Sequence, residues 1–140
     1  MSELPKPADC IPHRGKWLLI QEITAMTETT ISAVGSFTPE QVEGHFPGQP
    51  VVPGVLLLEA LAQTMACLHV QMDETEGTPF LAGFEKVRFK SAVLPPATCT
   101  FDIKLTEQRF GLTSASGTVR CEGRKICQAR LTGAIVPHVN

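Results

Sequence analysis

Several features that would place this sequence in other classes of protein are missing from it. The net charge is only −2 over 140 residues, which gives no case for a nucleic-acid partner. No apolar run nears the ~20 residues that span a bilayer. The first residues, MSELPKPADC, lack the apolar core of a signal peptide. We therefore expect neither nucleic-acid binding nor membrane insertion.

The five cysteines are scattered, and no two of them have CxxC spacing. A zinc site is therefore not expected, and no other metal or cofactor is predicted. Reduced thiols in the cytoplasm are the simplest interpretation of an odd number of cysteines. Cys67 lies in an apolar stretch and is interpreted as core packing.

Length and composition favour one soluble domain over residues 1–140, with 43% hydrophobic and 19% charged residues. Residues rich in β-formers or alternating in polarity predict six strands. These are Trp17–Met26, Thr29–Phe37, Phe80–Lys90, Thr98–Thr106, Leu112–Cys121 and Lys125–Val136. Turns are expected at Thr27-Glu28 and Glu122-Gly123-Arg124, and a short helical turn over Thr38–Val42.

A helix is predicted from Gly54 to about Met72, and its apolar residues fall on every face. Such a helix is normally buried. A small sheet covers one helix on all sides only if it curls round it, and the short connections make that sheet antiparallel. The predicted class is α+β, with a curved antiparallel sheet wrapped around one central helix.

A loop rich in proline and glycine leads into this helix. Pro47, Pro50 and Pro53 recur at a spacing of three, which also suits a polyproline ligand. Because the segment lies between two apolar stretches, we favour a rigid substrate loop. His45 precedes the loop. Within the helix, Glu59 and Gln63 lie one turn apart on the same face.

The segment HFPGQPVVPGVLLLEALAQ, residues 45–63, resembles the signature of the FabZ-type 3-hydroxyacyl-[acyl-carrier-protein] dehydratases, which have the hotdog fold. Ile11-Pro12-His13-Arg14 with Leu18-Leu19-Ile20 is similar to the family's opening, and Phe80–Lys90 is similar to its second block. The resemblance covers most of residues 11–105. Glu59 favours FabZ over the isomerising relative FabA, which has aspartate at that place.

The resemblance implies a lyase that removes water from 3-hydroxyacyl thioesters in fatty-acid or related acyl-chain biosynthesis. It assigns catalysis to His45 and Glu59, which would meet across the interface of a homodimer or of a larger assembly of dimers. An imidazole suits the base, and a carboxyl group whose pKa is raised by burial suits the acid. Gln63 is carried over as a supporting residue that orients the Glu59 carboxylate.

The first turn of the helix is expected to bind the thioester oxygen, because its leading N–H groups are unpaired and the helix dipole favours negative charge there. Gly54 is the first candidate donor and Val55 the weaker one. Gly54 has no side chain to block close approach. The acyl chain is expected beside the helix, where Phe84, Phe89 and Leu57 are either channel wall or core.

The implied partner is an acyl carrier protein with its phosphopantetheine-linked acyl chain. Lys86, Arg88 and Lys90 are predicted to share one strand face. This face is either a docking patch for that acidic carrier or an ordinary solvated surface, and both interpretations stay open at this point.

Other functions are compatible with the same residues. A hotdog thioesterase would use Glu59 to activate water, and a non-catalytic acyl-thioester-binding subunit would need neither the acid nor the base. Isomerase activity, as in FabA, also stays open. His13 is interpreted as part of a structural turn with Arg14, and His69 as a cation favoured near the helix end. The sequence has no tyrosine, which rules out a tyrosine gate, and it leaves both the acyl chain length and the pathway, housekeeping or specialised, open.

Overall fold

One long helix, α2 (Gly54–Met72), runs along the inner face of a six-stranded sheet in the computed structural model, which describes residues 4–72 and 78–136. The strands are β1 (Glu22–Met26), β2 (Thr30–Phe37), β3 (Thr78–Phe89), β4 (Ala97–Arg109), β5 (Leu112–Cys121) and β6 (Arg124–Val136), and a single turn of helix, α1 (Pro7–Cys10), precedes them. Two strands, one helix and four strands follow each other in the predicted order. The predicted connection at 73–77 and His138 lie outside the described residues.

The sheet is antiparallel throughout and has the strand order β1-β2-β4-β5-β6-β3. Strands β1 and β3 therefore form its two edges. Two-residue turns join β4 to β5 at Phe110-Gly111 and β5 to β6 at Glu122-Gly123, all with positive φ. This backbone matches the twist of the flanking strands. The turn predicted at Glu122-Gly123 is confirmed, and the turn at Phe110-Gly111 was missed.

Helix α2 forms the centre of the core, as predicted. Its buried side chains are Leu57, Ala60, Leu61, Gln63, Thr64, Met65, Cys67, Leu68 and His69. The helix lies close to β5 at Gly117, where an added Cβ would be 3.0 Å from Leu131 and 3.2 Å from Leu61. The curved sheet around one helix confirms the predicted hotdog architecture.

By length and composition α2 would pass as a membrane span, contrary to the expectation that no segment approaches one. Residues Gly54–Gln71 have a mean hydropathy of 1.2, and half of them are buried. The central helix of a wrapped sheet has this composition because it has to be apolar on most of its faces.

The predicted start of the first strand is wrong. Residues Gly15–Trp17 form a 3-10 turn, and β1 begins only at Glu22. The Gln63 side chain on α2 donates to the carbonyl of Trp17 at 2.7 Å and accepts from the N–H of Leu19 at 2.9 Å. These two hydrogen bonds attach the segment to the helix instead of to the sheet.

The predicted alternation along β3 is also wrong, because two irregularities interrupt its pairing with β6. They lie between Leu81 and Gly83 and between Glu85 and Arg88. Phe84 pairs with Leu131, whose side chain is buried in the core. Past the second irregularity Arg88 pairs with Gln128. Phe84 and Arg88 therefore face opposite sides of the sheet, where simple alternation would put them on one side.

All five cysteines are free thiols and all are buried. Cys67 is fully buried on α2, which confirms its interpretation as core packing. The 3-10 turn Pro39–Val42 confirms the predicted helical turn. Its Thr38 cap accepts from the N–H of Gln41, and the Gln41 side chain accepts in return from the N–H of Thr38.

Gly35 on β2 offers a stability test of the packing between the sheet and the segment before β1. A Cβ there would lie 2.3 Å from the carbonyl oxygen of Leu19 and 3.1 Å from Phe101. We expect Gly35→Ala to lower the free energy of unfolding by roughly 1–3 kcal/mol or more, because backbone would have to move. Gly83→Ala is the control, since nothing lies within 4 Å of its added Cβ. Equal urea midpoints for the two variants would contradict the packing described here.

Candidate active site

The loop between the 3-10 turn and α2 is held by its own backbone. The N–H of His45 donates to the carbonyl of Val42 at 2.9 Å, and the N–H of Val51 donates to the carbonyl of His45 at 2.7 Å. Phe46 and Gln49 exchange two backbone hydrogen bonds of 2.9 Å each. The three prolines therefore lie in an ordered loop, as predicted, and this loop gives His45 a defined position.

The hydrogen bond of the His45 ring identifies its neutral tautomer. Nδ1 lies 2.9 Å from the carbonyl oxygen of Val51. A carbonyl oxygen only accepts, so the ring hydrogen is on Nδ1 and the lone pair is on Nε2. The ring is half-buried and stacks on Phe46 with the centroids 4.3 Å apart. His45 is thus held with Nε2 available to accept a proton.

The start of α2 provides N–H groups at the surface of the protomer. Within residues 4–72 and 78–136, neither Gly54 nor Val55 donates its N–H to a described hydrogen bond, and the Val55 side chain is 70% exposed. Gly54 was expected to leave room for close approach because it has no side chain, but the place of that side chain is occupied. The Phe89 ring fills that place, 2.7 Å from where a Cβ would lie. Glycine is required here so that Phe89 can pack on the helix.

Glu59 lies on the second turn of α2, beside a small cavity of about 60 Å³. Its side chain is 38% exposed, and burial raises the pKa of its carboxyl group above the ordinary value of 4.5. The nearby imidazole of His13 opposes part of that rise, with Nε2 3.9 Å from Oε1 of Glu59. Burial is the larger effect, so a proton is retained on Glu59 to higher pH than on an exposed glutamate.

The cavity runs along α2 between the helix and strands β3 and β6. Its described lining is His13, Glu59, Ala62, Gln63, Met65, Ala66, His69, Phe80, Leu81, Gly133 and Ala134. The walls are mainly apolar. Leu57, suggested as channel wall, is instead fully buried core, while Phe89 is half-exposed and covers the start of the helix.

Gln63 supports the site differently from the prediction. Its amide group binds the backbone of Trp17 and Leu19, as described above, and we find no hydrogen bond from it to Glu59 within the described residues. Its support consists of holding the N-terminal segment against the helix.

His13 is the site residue that sequence reasoning missed. It was assigned to a structural turn, yet its ring contacts Glu59, 46 positions further along the chain. The only available signal was its place in the family-like block Ile11-Pro12-His13-Arg14. His69, expected as a cation at the helix end, is instead buried, with Nε2 3.0 Å from the hydroxyl of Thr113.

A single protomer does not unite all the predicted residues. The described lining of the cavity beside Glu59 contains His13 and Gln63 but not His45, which lies on the loop. Lys86, Arg88 and Lys90 are exposed at the outer face and end of β3.

Comparison with known proteins places the chain in a family. Residues 11–130 match the FabA-like domain. The 3-hydroxyacyl-[acyl-carrier-protein] dehydratase FabZ of Clostridium perfringens is 35% identical over 138 residues, covering 96% of this chain and 99% of that protein.

Solved structures share the fold at low identity. One is the dehydratase heterocomplex ApeI:P of Xenorhabdus doucetiae, with a TM-score of 0.82, 16% identity, and 96% and 93% of the two chains covered. A thioesterase from Haemophilus influenzae has a TM-score of 0.68 at 16% identity, covering 85% and 80%. The central helix carries Glu59 beside an apolar cavity, and the matches extend over nearly the whole chain. This chain therefore belongs to the FabA-like family, among its FabZ-type members.

Proposed function

We propose that this protein removes water from (3R)-3-hydroxyacyl chains carried by an acyl carrier protein and releases the trans-2-enoyl product. The observation that carries the proposal is Glu59, a carboxyl group whose pKa is raised by burial on the wall of an apolar cavity. Such a group keeps its proton to higher pH than an exposed glutamate does and is therefore suited to act as an acid. The reaction belongs to fatty-acid or related acyl-chain biosynthesis in the cytoplasm.

The chemistry divides among three groups. Nε2 of His45 takes the proton from C2, and the electron pair of that C–H bond moves towards the thioester carbonyl. The N–H groups of Gly54 and Val55 bind the negative charge that develops on the carbonyl oxygen. The C3–O bond then breaks with its electron pair on oxygen, Glu59 delivers a proton to that oxygen, and water leaves as the C2–C3 double bond forms.

The proposed active unit is a homodimer in which the partner subunit's His45 faces Glu59. Strand β3 is a 12-residue edge strand, and an unpaired edge of this length favours pairing with a second chain. Large apolar side chains are exposed on this strand, on the loop, at the start of α2 and on the 3-10 turn before β1. They are Trp17, Phe46, Val55, Phe80, Leu81 and Phe89. A dimer through this surface would cover them and bring the loop of one subunit to the helix of the other.

The proposed docking site for the carrier is the outer face of β3 and β6. Lys86 and Arg88 are exposed there beside Arg130, with Glu85 as the one acidic side chain paired opposite Arg130. Lys90 extends the patch just past the end of the strand. The surplus of positive charge suits the acidic surface and phosphate of a carrier protein.

Variants of the two catalytic residues test the chemistry and the dimer together. We expect His45→Ala and Glu59→Gln each to lower kcat/KM by roughly 10²–10⁴-fold, measured by mass spectrometry as loss of water from a 3-hydroxyacyl carrier protein. Mixing and re-annealing the two inactive variants should restore about one quarter of wild-type activity, since half of the dimers are mixed and each has one intact site.

The control for mixing is the double variant His45→Ala/Glu59→Gln combined with wild type, in which every mixed dimer has two damaged sites. Full activity in either single variant would disprove the assigned roles, and no recovery on mixing would place both residues in one subunit. Release of free thiol instead of water would identify a thioesterase.

The raised pKa of Glu59 also predicts an effect on stability. Because the folded pKa lies above 4.5, the wild-type protein loses stability as pH rises from that value through the folded pKa, where the carboxylate forms in a poorly solvated place. We expect Glu59→Gln to match wild type near pH 4.5 and to be more stable at pH 8 by thermal unfolding. Glu22→Gln, on an exposed position of β1, is the control for removal of one carboxylate. A wild-type protein that is the more stable at pH 8 would contradict the assignment.

Charge reversal tests the carrier site. We expect Arg88→Glu/Lys90→Glu to raise KM for the carrier-bound substrate by roughly tenfold at low salt, with little effect on a short pantetheine thioester that lacks the protein. Lys104→Glu on β4, three strands away in the sheet, is the matched control. Unchanged turnover of the carrier-bound substrate would mean that the patch is an ordinary solvated surface.

A further inference from the structure

The N-terminal segment around His13 is fastened on both sides by polar side chains. The Arg14 guanidinium donates to three backbone carbonyls, those of Ala8 at 2.8 Å, Ile11 at 2.7 Å and His13 at 2.7 Å. On the other side, Gln63 binds the backbone of Trp17 and Leu19. A buried glutamine and three charge-assisted hydrogen bonds define the position of an irregular segment far more strictly than apolar contacts would.

The side chain held in this way is the imidazole of His13. Nε2 is 3.9 Å from Oε1 of Glu59, which is an ion-pair distance and not yet a hydrogen bond. Nδ1 is buried and makes no hydrogen bond within the described part of the chain. An unpartnered ring nitrogen is tolerated better as a lone pair than as an N–H group. The ring hydrogen of the neutral form therefore belongs on Nε2, facing the carboxyl group.

We propose that His13 is a positioning residue for the acid: its Nε2–H holds the carboxyl group of Glu59 and stabilises the carboxylate that forms when the proton has left. The inference rests on the proposed function in giving Glu59 that acid role. In the dehydration step the Glu59 O–H bond breaks and its proton goes to the departing hydroxyl. His13 keeps its own proton and donates a hydrogen bond to the new charge, so the segment 8–19 acts on the reaction through Glu59.

The groups that titrate around Glu59 are few. The N-terminal segment contributes His13, with the Arg14 guanidinium bound to three carbonyls. Helix α2 contributes His69, ten residues or about 15 Å along the helix. The described lining from β3 and β6 is apolar, namely Phe80, Leu81, Gly133 and Ala134. The proposed dimer adds the partner subunit's His45.

The test compares two replacements of His13 that should shift the pKa of the Glu59 carboxyl group in opposite directions. His13→Phe keeps a flat ring but removes the donor, and His13→Lys provides a donor with a permanent charge. Titration of the Glu59 side-chain carboxyl carbon by ¹³C NMR, assigned with Glu59→Gln, needs no substrate. We expect the midpoint to rise in His13→Phe and to fall in His13→Lys, because His13 lowers the pKa of Glu59.

Kinetics provide the second measurement. Because Glu59 must be protonated to act, the high-pH limb of kcat/KM should move in the same direction as the NMR midpoint in each variant. We expect kcat to fall roughly 10- to 100-fold in His13→Phe with little change in KM, and to recover partly in His13→Lys. His69→Gln is the matched control, since it removes the other imidazole of the same cavity and should leave the Glu59 midpoint unchanged.

The outcomes separate this inference from the proposed function. An unchanged midpoint in His13→Phe, or a shift of the same sign in both variants, would overturn the inference even if water is lost from the substrate. If the Glu59 midpoint shifts in opposite directions in the two variants but the wild-type protein has no dehydratase activity, the contact between His13 and Glu59 is supported and the proposed function is overturned.

Discussion

The structure depends on covering a helix that is apolar on nearly all sides. Helix α2 lies at the centre of the core, and six antiparallel strands curl round it because only a curved sheet removes so much of one helix from water. Close approach needs small residues where sheet and helix meet, as at Gly117. Every buried polar side chain on this helix must therefore find a hydrogen-bonding partner within the protein or carry a function.

The polar side chains of α2 illustrate both outcomes. Thr64 donates to the carbonyl of Ala60 one turn earlier, and His69 lies 3.0 Å from the hydroxyl of Thr113. Gln63 fastens the segment before β1. Glu59 has no hydrogen-bonding partner of this kind among the described residues, so burial keeps its carboxyl group protonated to higher pH. The same desolvation that costs stability makes this glutamate suitable as an acid.

Two segments without regular secondary structure contribute the histidines of the proposed site. The proline-rich loop holds His45 through the carbonyl of Val51, and the N-terminal segment holds His13 through the hydrogen bonds of Arg14. Both use polar contacts to backbone, which confine a loop without regular secondary structure. The FabA-like domain match spans both segments as well as the helix.

Local sequence was sufficient to predict the bounds of α2 with Glu59 on it, the number of strands and their order along the chain, and the turn at Glu122-Gly123. Periodicity and turn residues act over a few positions, so no distant contact is needed to predict these features. Only the tertiary structure decided three other matters. Gln63 binds the backbone of Trp17, which therefore lies outside the first strand. The irregular pairing of β3 places Phe84 and Arg88 on opposite faces of the sheet. His13 contacts Glu59, which lies 46 positions further along the chain. Each results from contacts between residues far apart in sequence, which no local pattern encodes.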